Sequence, residues 1–251
     1  MPRGTDFAVP SNARMTNILL GGPDRHLADR EAVRSLEQLR FNLRQLTREA
    51  RQFAGAAVGA LVDGGIRQVL DLGCGLPRTP DLHEIAAQRY RGRLRPRTLY
   101  CDRDPHVLKQ WRAILEESDG ARVLGVDVSR PALLSCGGLR TYLDLDLPVV
   151  AVVSGLLECL TDTAAERLLA TLTAGLAPGS AVVVATPVCS ITAQAELITR
   201  QAREVTAGAW GRMRTPYRLK ALHPAFSRQL MYDTSVSGPE LATTILDVPR
   251  C

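Results

Sequence analysis

Lysine is nearly missing from this 251-residue chain: Lys109 and Lys220 are the only two, and the formal net charge of +5 rests on arginine. Arginine in place of lysine, with abundant alanine, fits a GC-rich coding sequence, so the basicity alone is no argument for nucleic acid. Long apolar runs are lacking too. The longest, 148–160, is interrupted by Ser154, Gly155 and Glu158, too short and too polar for a membrane span. The first residues show no basic-then-apolar leader, and the expectation is a soluble, cytoplasmic protein. No Cys-x-x-Cys pair occurs among the six scattered cysteines, Cys74, Cys101, Cys136, Cys159, Cys189 and Cys251. They read as reduced thiols, with no metal site. An aromatic-flanked Asn-Pro-Pro-Tyr segment for a flipped base is also absent. Neither an internal repeat nor a low-complexity linker appears.

What is present concentrates in Gln68-Val-Leu-Asp-Leu-Gly-Cys-Gly-Leu-Pro77. An apolar strand runs into a carboxylate and then into two glycines spaced by one residue. This is a strand ending in a tight turn at the edge of a parallel sheet, where open α/β folds bind nucleotides. A dinucleotide site wants a third glycine and brings an anionic pyrophosphate to the helix start; Asp71 would repel that group, and the third glycine is missing. A ligand with a cationic reacting end suits the site better. S-adenosylmethionine (SAM), bearing a sulfonium and an ammonium, is such a ligand.

The first 65 residues read as a helical cap and residues 66–251 as the core, together one structural domain. Apolar residues at helical spacing cover 13–20 and 29–62, closed by Gly64-Gly65. Strand and helix then alternate. Strands are predicted at 67–72, 98–101, 122–126, 149–153 and 181–185, with a closing hairpin of 226–233 and 243–248. The nearly all β-branched 149–153 suits a strand covered on both faces. Asp104-Pro105 supplies an N-cap and a first-turn proline for one helix, and Thr163 with Glu166 a capping-box spacing for another. The expected fold is α/β, doubly wound and Rossmann-like, with a mostly parallel seven-stranded sheet and an antiparallel C-terminal hairpin.

Ligands of such sheets lie across the carboxyl ends of the strands. Those ends offer Asp71, Gly73, Cys74 and Gly75, then Asp102 and Arg103, then Asp127 and Val128, then Ser154 with Glu158. Glycines let the backbone approach a ligand without a Cβ in the way. Asp102 can accept from both ribose hydroxyls, with Asp104 committed to its helix cap, and Asp127 from the adenine amino group. Cys74 reads as a small residue tolerated in the loop.

The segment Ser11-Asn-Ala-Arg-Met-Thr-Asn-Ile-Leu-Leu-Gly-Gly-Pro-Asp-Arg-His-Leu-Ala-Asp-Arg30, taken with the loop above, His83-Glu84, Asp102-Arg-Asp-Pro105 and Leu176-Ala-Pro-Gly-Ser180, resembles an actinobacterial SAM-dependent methyltransferase family formerly classed as a domain of unknown function. The resemblance spans most of 11–187. It implies a class I methyltransferase fold with SAM held around Gly73 and Gly75 and by Asp102 and Asp127. The chain departs from the family pattern at Thr16-Asn17-Ile18, at Pro23, Arg25 and His26, at Leu157-Glu158-Cys159 and after Pro187. The cofactor half is kept while the acceptor half has changed.

Glu158, after the fourth strand, is the candidate general base, and an acid orienting the SAM ammonium is the competing reading. His26 reaches the site if the N-terminal helices form a lid; a surface turn is its other reading. Trp111 and Trp210 read as packing residues, though 210–217 has the composition of an acceptor-cleft wall. The leading expectation is methyl transfer to a small-molecule acceptor of specialised metabolism, free or tethered to an acidic carrier protein, leaving S-adenosylhomocysteine. A second expectation changes the chemistry to aminocarboxypropyl transfer or SAM cyclisation, releasing methylthioadenosine. A third, resting on the loop arginines Arg91, Arg93, Arg95 and Arg97, is a nucleic-acid methyltransferase or a non-catalytic SAM-binding protein. No membrane partner is expected, and a homodimer is compatible with the reading.

Overall fold

The computed structural model describes residues 6–23, 26–39, 41–92, 95–233 and 238–249. A six-stranded sheet of order β3-β2-β1-β4-β5-β6 forms its centre. The strands are β1 (Gln68–Leu72), β2 (Arg97–Asp102), β3 (Ala121–Gly125), β4 (Val150–Ser154), β5 (Ala181–Cys189) and β6 (Pro239–Asp247). The first five are parallel, and β6 runs antiparallel to β5 from Ala181↔Asp247 to Cys189↔Pro239. β5 is buried along its whole length, while β6 alternates half-buried and buried residues as an edge strand does.

The sequence predicts seven strands, and among the described residues six are found. The difference lies in 226–233. Phe226 is fully buried and opens the short helix α10 (Phe226–Gln229), so only Met231 pairs with the sheet, in a single bridge to Thr243. The helical stretch 29–62 is likewise two helices, α2 (Leu27–Glu37) and α3 (Leu43–Asp63). Asn42 makes the break, its side chain accepting from the Gln45 amide at 3.1 Å as an N-cap.

Helices cover both faces. α3, α4 (Leu82–Arg89) and α5 (Pro105–Ile114) lie on one side. There the small residues Ala54, Ala57 and Val58 of α3 let its backbone sit close over Val69, Val150 and Val183. α6 (Gly137–Tyr142), α7 (Asp162–Gly175) and α9 (Pro216–Leu222) lie on the other, over Leu70, Leu72, Ala151 and Val182. As predicted, Asp104 caps α5, accepting from the His106 amide at 2.8 Å. α7 is capped two residues earlier than its predicted box, with Thr161 accepting from the Ala164 amide.

The first 63 residues thus divide between two tasks. α3 closes the sheet, whereas α1 (Asn12–Leu19) and α2 build a second apolar cluster with α8 (Thr192–Val205) and Trp210. α1 is anchored by a fully buried ion pair, Arg14 Nε to Asp29 Oδ2 at 2.6 Å. The other Asp29 oxygen accepts the Ser11 amide at 2.8 Å, and Ser11 Oγ donates to Asp104 Oδ2 at 2.8 Å. The last carbonyls of α1 are met by guanidiniums from elsewhere: Arg44 donates to Ile18 O at 3.1 Å, and Arg78, just past the glycine loop, donates to Leu20 O. Among the described residues no helix is long and apolar enough to cross a membrane.

Candidate functional site

Strand order reverses at β1, which has β2 on one side and β4 on the other. In an open α/β sheet the crevice at that switch point is where ligands bind. A cavity of about 530 Å³ occupies it here, a volume typical of small-molecule sites. Its floor is the carboxyl ends of β1, β2 and β4. Its roof is α1 and α3, contributing Met15, Leu19, Leu43, Leu46 and Ala50.

Nine sequence-predicted cofactor residues, Asp71, Gly73, Cys74, Gly75, Asp102, Arg103, Asp127, Val128 and Ser154, all line this one cavity, as does Glu158. Gly73 and Gly75 take left-handed backbone angles, φ +69° and +64°. A Cβ on Gly73 would stand 2.8 Å from Leu156 Cδ1 and displace that side chain, but it is the left-handed conformation that calls for the bare backbone. The turn is fastened from two sides. Asp102 Oδ2 accepts the Gly75 amide at 3.1 Å, and the Trp111 indole donates to the Gly75 carbonyl at 2.8 Å. Trp111 in turn stacks on Tyr100 at 3.8 Å, whose hydroxyl meets His83 Nδ1 at 2.9 Å. Trp111 and His83 therefore serve packing and support.

The surroundings shift the carboxyls in different directions. Burial, reinforced by Asp81 and Asp102 and opposed by Arg51, pushes the Asp71 carboxyl up to about 7. Burial also raises Asp102, against hydrogen bonds from the Asp104 and Gly75 amides. At Asp127 burial is outweighed by the Ser129 hydroxyl and amide, which bind Oδ1 at 2.7 and 3.0 Å, and by Arg103 and Arg130, so it lies below the usual range. The Cys74 thiol is pushed well above its usual value by burial and by Asp71 and Asp102, which keeps it protonated and suits its reading as a small loop residue. A walled-in, acid-rich floor that holds one carboxyl near neutrality fits a cationic ligand and opposes an anionic one.

Glu158 sits on a 3₁₀ turn (Leu157–Cys159) after β4 and is 5% exposed. Burial raises its carboxyl, partly offset by its own backbone amide, by the Thr186 hydroxyl, which donates to Oε2 at 3.2 Å, and by Arg214 and Trp210. It lines the same cavity as the acidic floor, together with Leu160, Pro187 and Trp210. His26 is placed elsewhere. It precedes α2, stacks on Phe7 at 4.2 Å, and is not among the cavity-lining residues. Arg93 and Arg25 fall outside the described residues, and Arg97 begins β2, where it donates to Tyr142 O at 3.3 Å. Sequence reading missed Arg51, which reaches from α3 into the cavity and donates to Pro80 O at 2.8 Å and to Asp81 Oδ1 at 3.2 Å. Among the described residues no group of three His, Cys, Asp or Glu is arranged to hold a metal ion.

A family model described as S-adenosyl methyltransferase matches residues 1–227. Among solved structures, a protein of Thermobifida fusca YX named as a candidate methyltransferase superposes with a TM-score of 0.80. It is 28% identical, over 95% of this chain and 96% of that one. A DUF574 family protein of Streptomyces avermitilis MA-4680 superposes with a TM-score of 0.77 at 24% identity, over 95% and 98%. No curated protein matches the chain.

Proposed function

The chain belongs to the S-adenosyl methyltransferase family, and on that premise we propose that it methylates a small, largely apolar acceptor seated between Glu158 and the underside of the N-terminal helices. The observation that carries this reading is one cavity lined both by the strand-end acids Asp71, Asp102 and Asp127 with the buried Glu158 and by apolar Met15, Leu19, Leu43, Leu46 and Trp210.

SAM supplies a methyl group on a sulfonium. The residues we assign to hold it are Asp71, Gly73, Cys74, Gly75, Asp102, Arg103, Asp127, Val128 and Ser154. Gly73 and Gly75 leave backbone open to the methionine part. Asp102 keeps lone pairs for the ribose after accepting the Gly75 and Asp104 amides, and to the Asp127 oxygen not bound by Ser129 we assign the adenine amino group. Ser154 spends its hydroxyl on Ala50 O at 3.4 Å, tying β4 to the α3 roof.

Methyl transfer is a displacement governed by positioning, and a base is needed only when the nucleophile arrives protonated. Glu158, raised by burial, accepts that proton from a hydroxyl or amine, and the walls of Met15, Leu19, Leu46 and Trp210 exclude water and orient the apolar body. Such a cavity suits a mostly uncharged molecule with one ionisable group.

The test is turnover of SAM with a panel of small hydroxyl- and amine-bearing aromatic acceptors, read by mass spectrometry. Formation of methylated acceptor with S-adenosylhomocysteine is the expected result. Release of methylthioadenosine, or methylation confined to nucleic acid or protein, overturns the acceptor reading.

A further inference from the structure

A second concavity, of about 690 Å³, lies behind the Glu158 turn, between α8 and residues 206–215. The backbone wall facing α8 is rigidly built. Thr199 Oγ1 accepts the Met213 amide at 3.0 Å and donates to Met213 O at 3.3 Å. Thr206 Oγ1 accepts the Trp210 amide at 3.1 Å. Gly211, at φ +119°, is pressed so close to α8 that a Cβ there would stand 2.6 Å from Ala202 Cβ. These contacts fix where Arg212 emerges.

Five arginines, Arg200, Arg203, Arg212, Arg214 and Arg218, line the cleft against three carboxylates, Asp162, Glu196 and Glu204. The buried Arg214 is fully used: it meets Asp162 Oδ1 at 2.9 Å, Leu157 O at 2.7 Å and Leu160 O at 2.9 Å. The second Asp162 oxygen lies 4.0 Å from Arg218. Among the described residues Arg200, Arg203 and Arg212 form no ion pair. Arg212 is half-buried, and burial together with the nearby Arg203 and Arg214 works against its charge, an effect Asp162 offsets in part. Since an arginine stays protonated, an anion seated among these guanidiniums would relieve that crowding.

We propose that this cleft binds a phosphate group, free or carried on a small molecule, between the guanidiniums of Arg200 and Arg203 on α8 and Arg212 opposite. Planar guanidinium forks match phosphate oxygens in pairs. Asp162, Glu196 and Glu204, the latter two one turn either side of Arg200, hold the surplus of positive charge to two, which matches a dianion and argues against a nucleic-acid backbone. Occupancy is coupled to the turn that carries Glu158. Arg212 donates its amide to Glu158 O at 3.0 Å, and Arg214 holds the carbonyls at both ends of that turn. The assignment stands apart from the methyl-transfer reading, because its residues, distances and ligand differ.

The experiment is calorimetric titration of the full chain with inorganic phosphate and with phenyl phosphate, at constant ionic strength set by chloride. Saturable one-to-one binding is expected, weakened about tenfold or more by Arg203→Ala and by Arg212→Ala and unchanged by Arg103→Ala in the main cavity. Tighter binding of the ester than of free phosphate assigns the carried form, and the converse assigns the free ion. Arg203 is exposed, so its variant keeps the test sharp if Arg212→Ala fails to fold. Absence of saturable heat, or binding lost in Arg103→Ala and kept in Arg203→Ala, overturns the proposal.

Discussion

Thr186 and Glu158, 28 positions apart in sequence, meet where the turn after β4 passes β5, and there the Thr186 hydroxyl donates to Glu158 Oε2 at 3.2 Å. That bond favours the charged carboxylate and restrains the rise that burial causes. Thr186→Val is therefore expected to move the acid limb of the kcat profile to higher pH, by about one unit. Glu158→Gln is expected to lower kcat by a factor of about 100 or more with SAM affinity within about twofold. An unshifted limb in the first variant, or full activity in the second, removes Glu158 from the proton-accepting role.

Asp71 gives a pH dependence of opposite character. Its carboxyl rises from 3.8 to about 7 on folding, so between those pH values the folded chain holds a proton that the unfolded chain has released. Stability therefore falls as pH rises through that window and levels off above it. Asp71→Asn is expected to melt higher than the parent at pH 8 without ligand, by about 3 °C or more. In the parent, SAM binding is expected to tighten from pH 6 to pH 8 and to release a proton, read from calorimetry in buffers of different ionisation enthalpy. In Asp71→Asn binding weakens and that pH dependence disappears.

Gly73→Ala meets both a left-handed φ of +69° and a contact 2.8 Å from Leu156 Cδ1. The backbone cost alone is about 1 kcal/mol or more. Loss of SAM affinity by at least about tenfold is expected by calorimetry. Adding Leu156→Ala relieves the contact and not the backbone, so recovery in the double variant stays partial.

The Arg14–Asp29 pair is buried at both ends. Arg14→Met leaves an unpaired carboxylate in the interior and is expected to cost about 3–5 kcal/mol, seen as a fall in Tm of about 10 °C. Replacing both residues by Met and Leu returns most of that loss, which distinguishes charge burial from lost volume.

The parts of this molecule written in local sequence could be read before the structure. Gln68–Pro77 carries its strand, its turn and its acid within ten residues, and Asp104-Pro105 carries its own cap, so each appears where expected. What depends on distant partners could not be read. The 226–233 segment has strand-like apolar residues, yet Phe226 finds its place in the core beneath α9, and tertiary packing overrides the local preference. The break between α2 and α3 carries no Gly or Pro, and Asn42 was its one local sign. Arg51 and the roof residues Met15 and Leu46 advertise an apolar helix face without saying what that face covers.

The contact between Arg78 and the end of α1 bears on the sequence of binding events. One side chain joins the ceiling of the acceptor chamber to the loop carrying Gly73 and Gly75, and Arg51 braces the same loop from α3. Filling the loop first is therefore expected to steady the ceiling, and initial-rate kinetics are expected to be ordered, with SAM on first and S-adenosylhomocysteine, last off, competing with SAM.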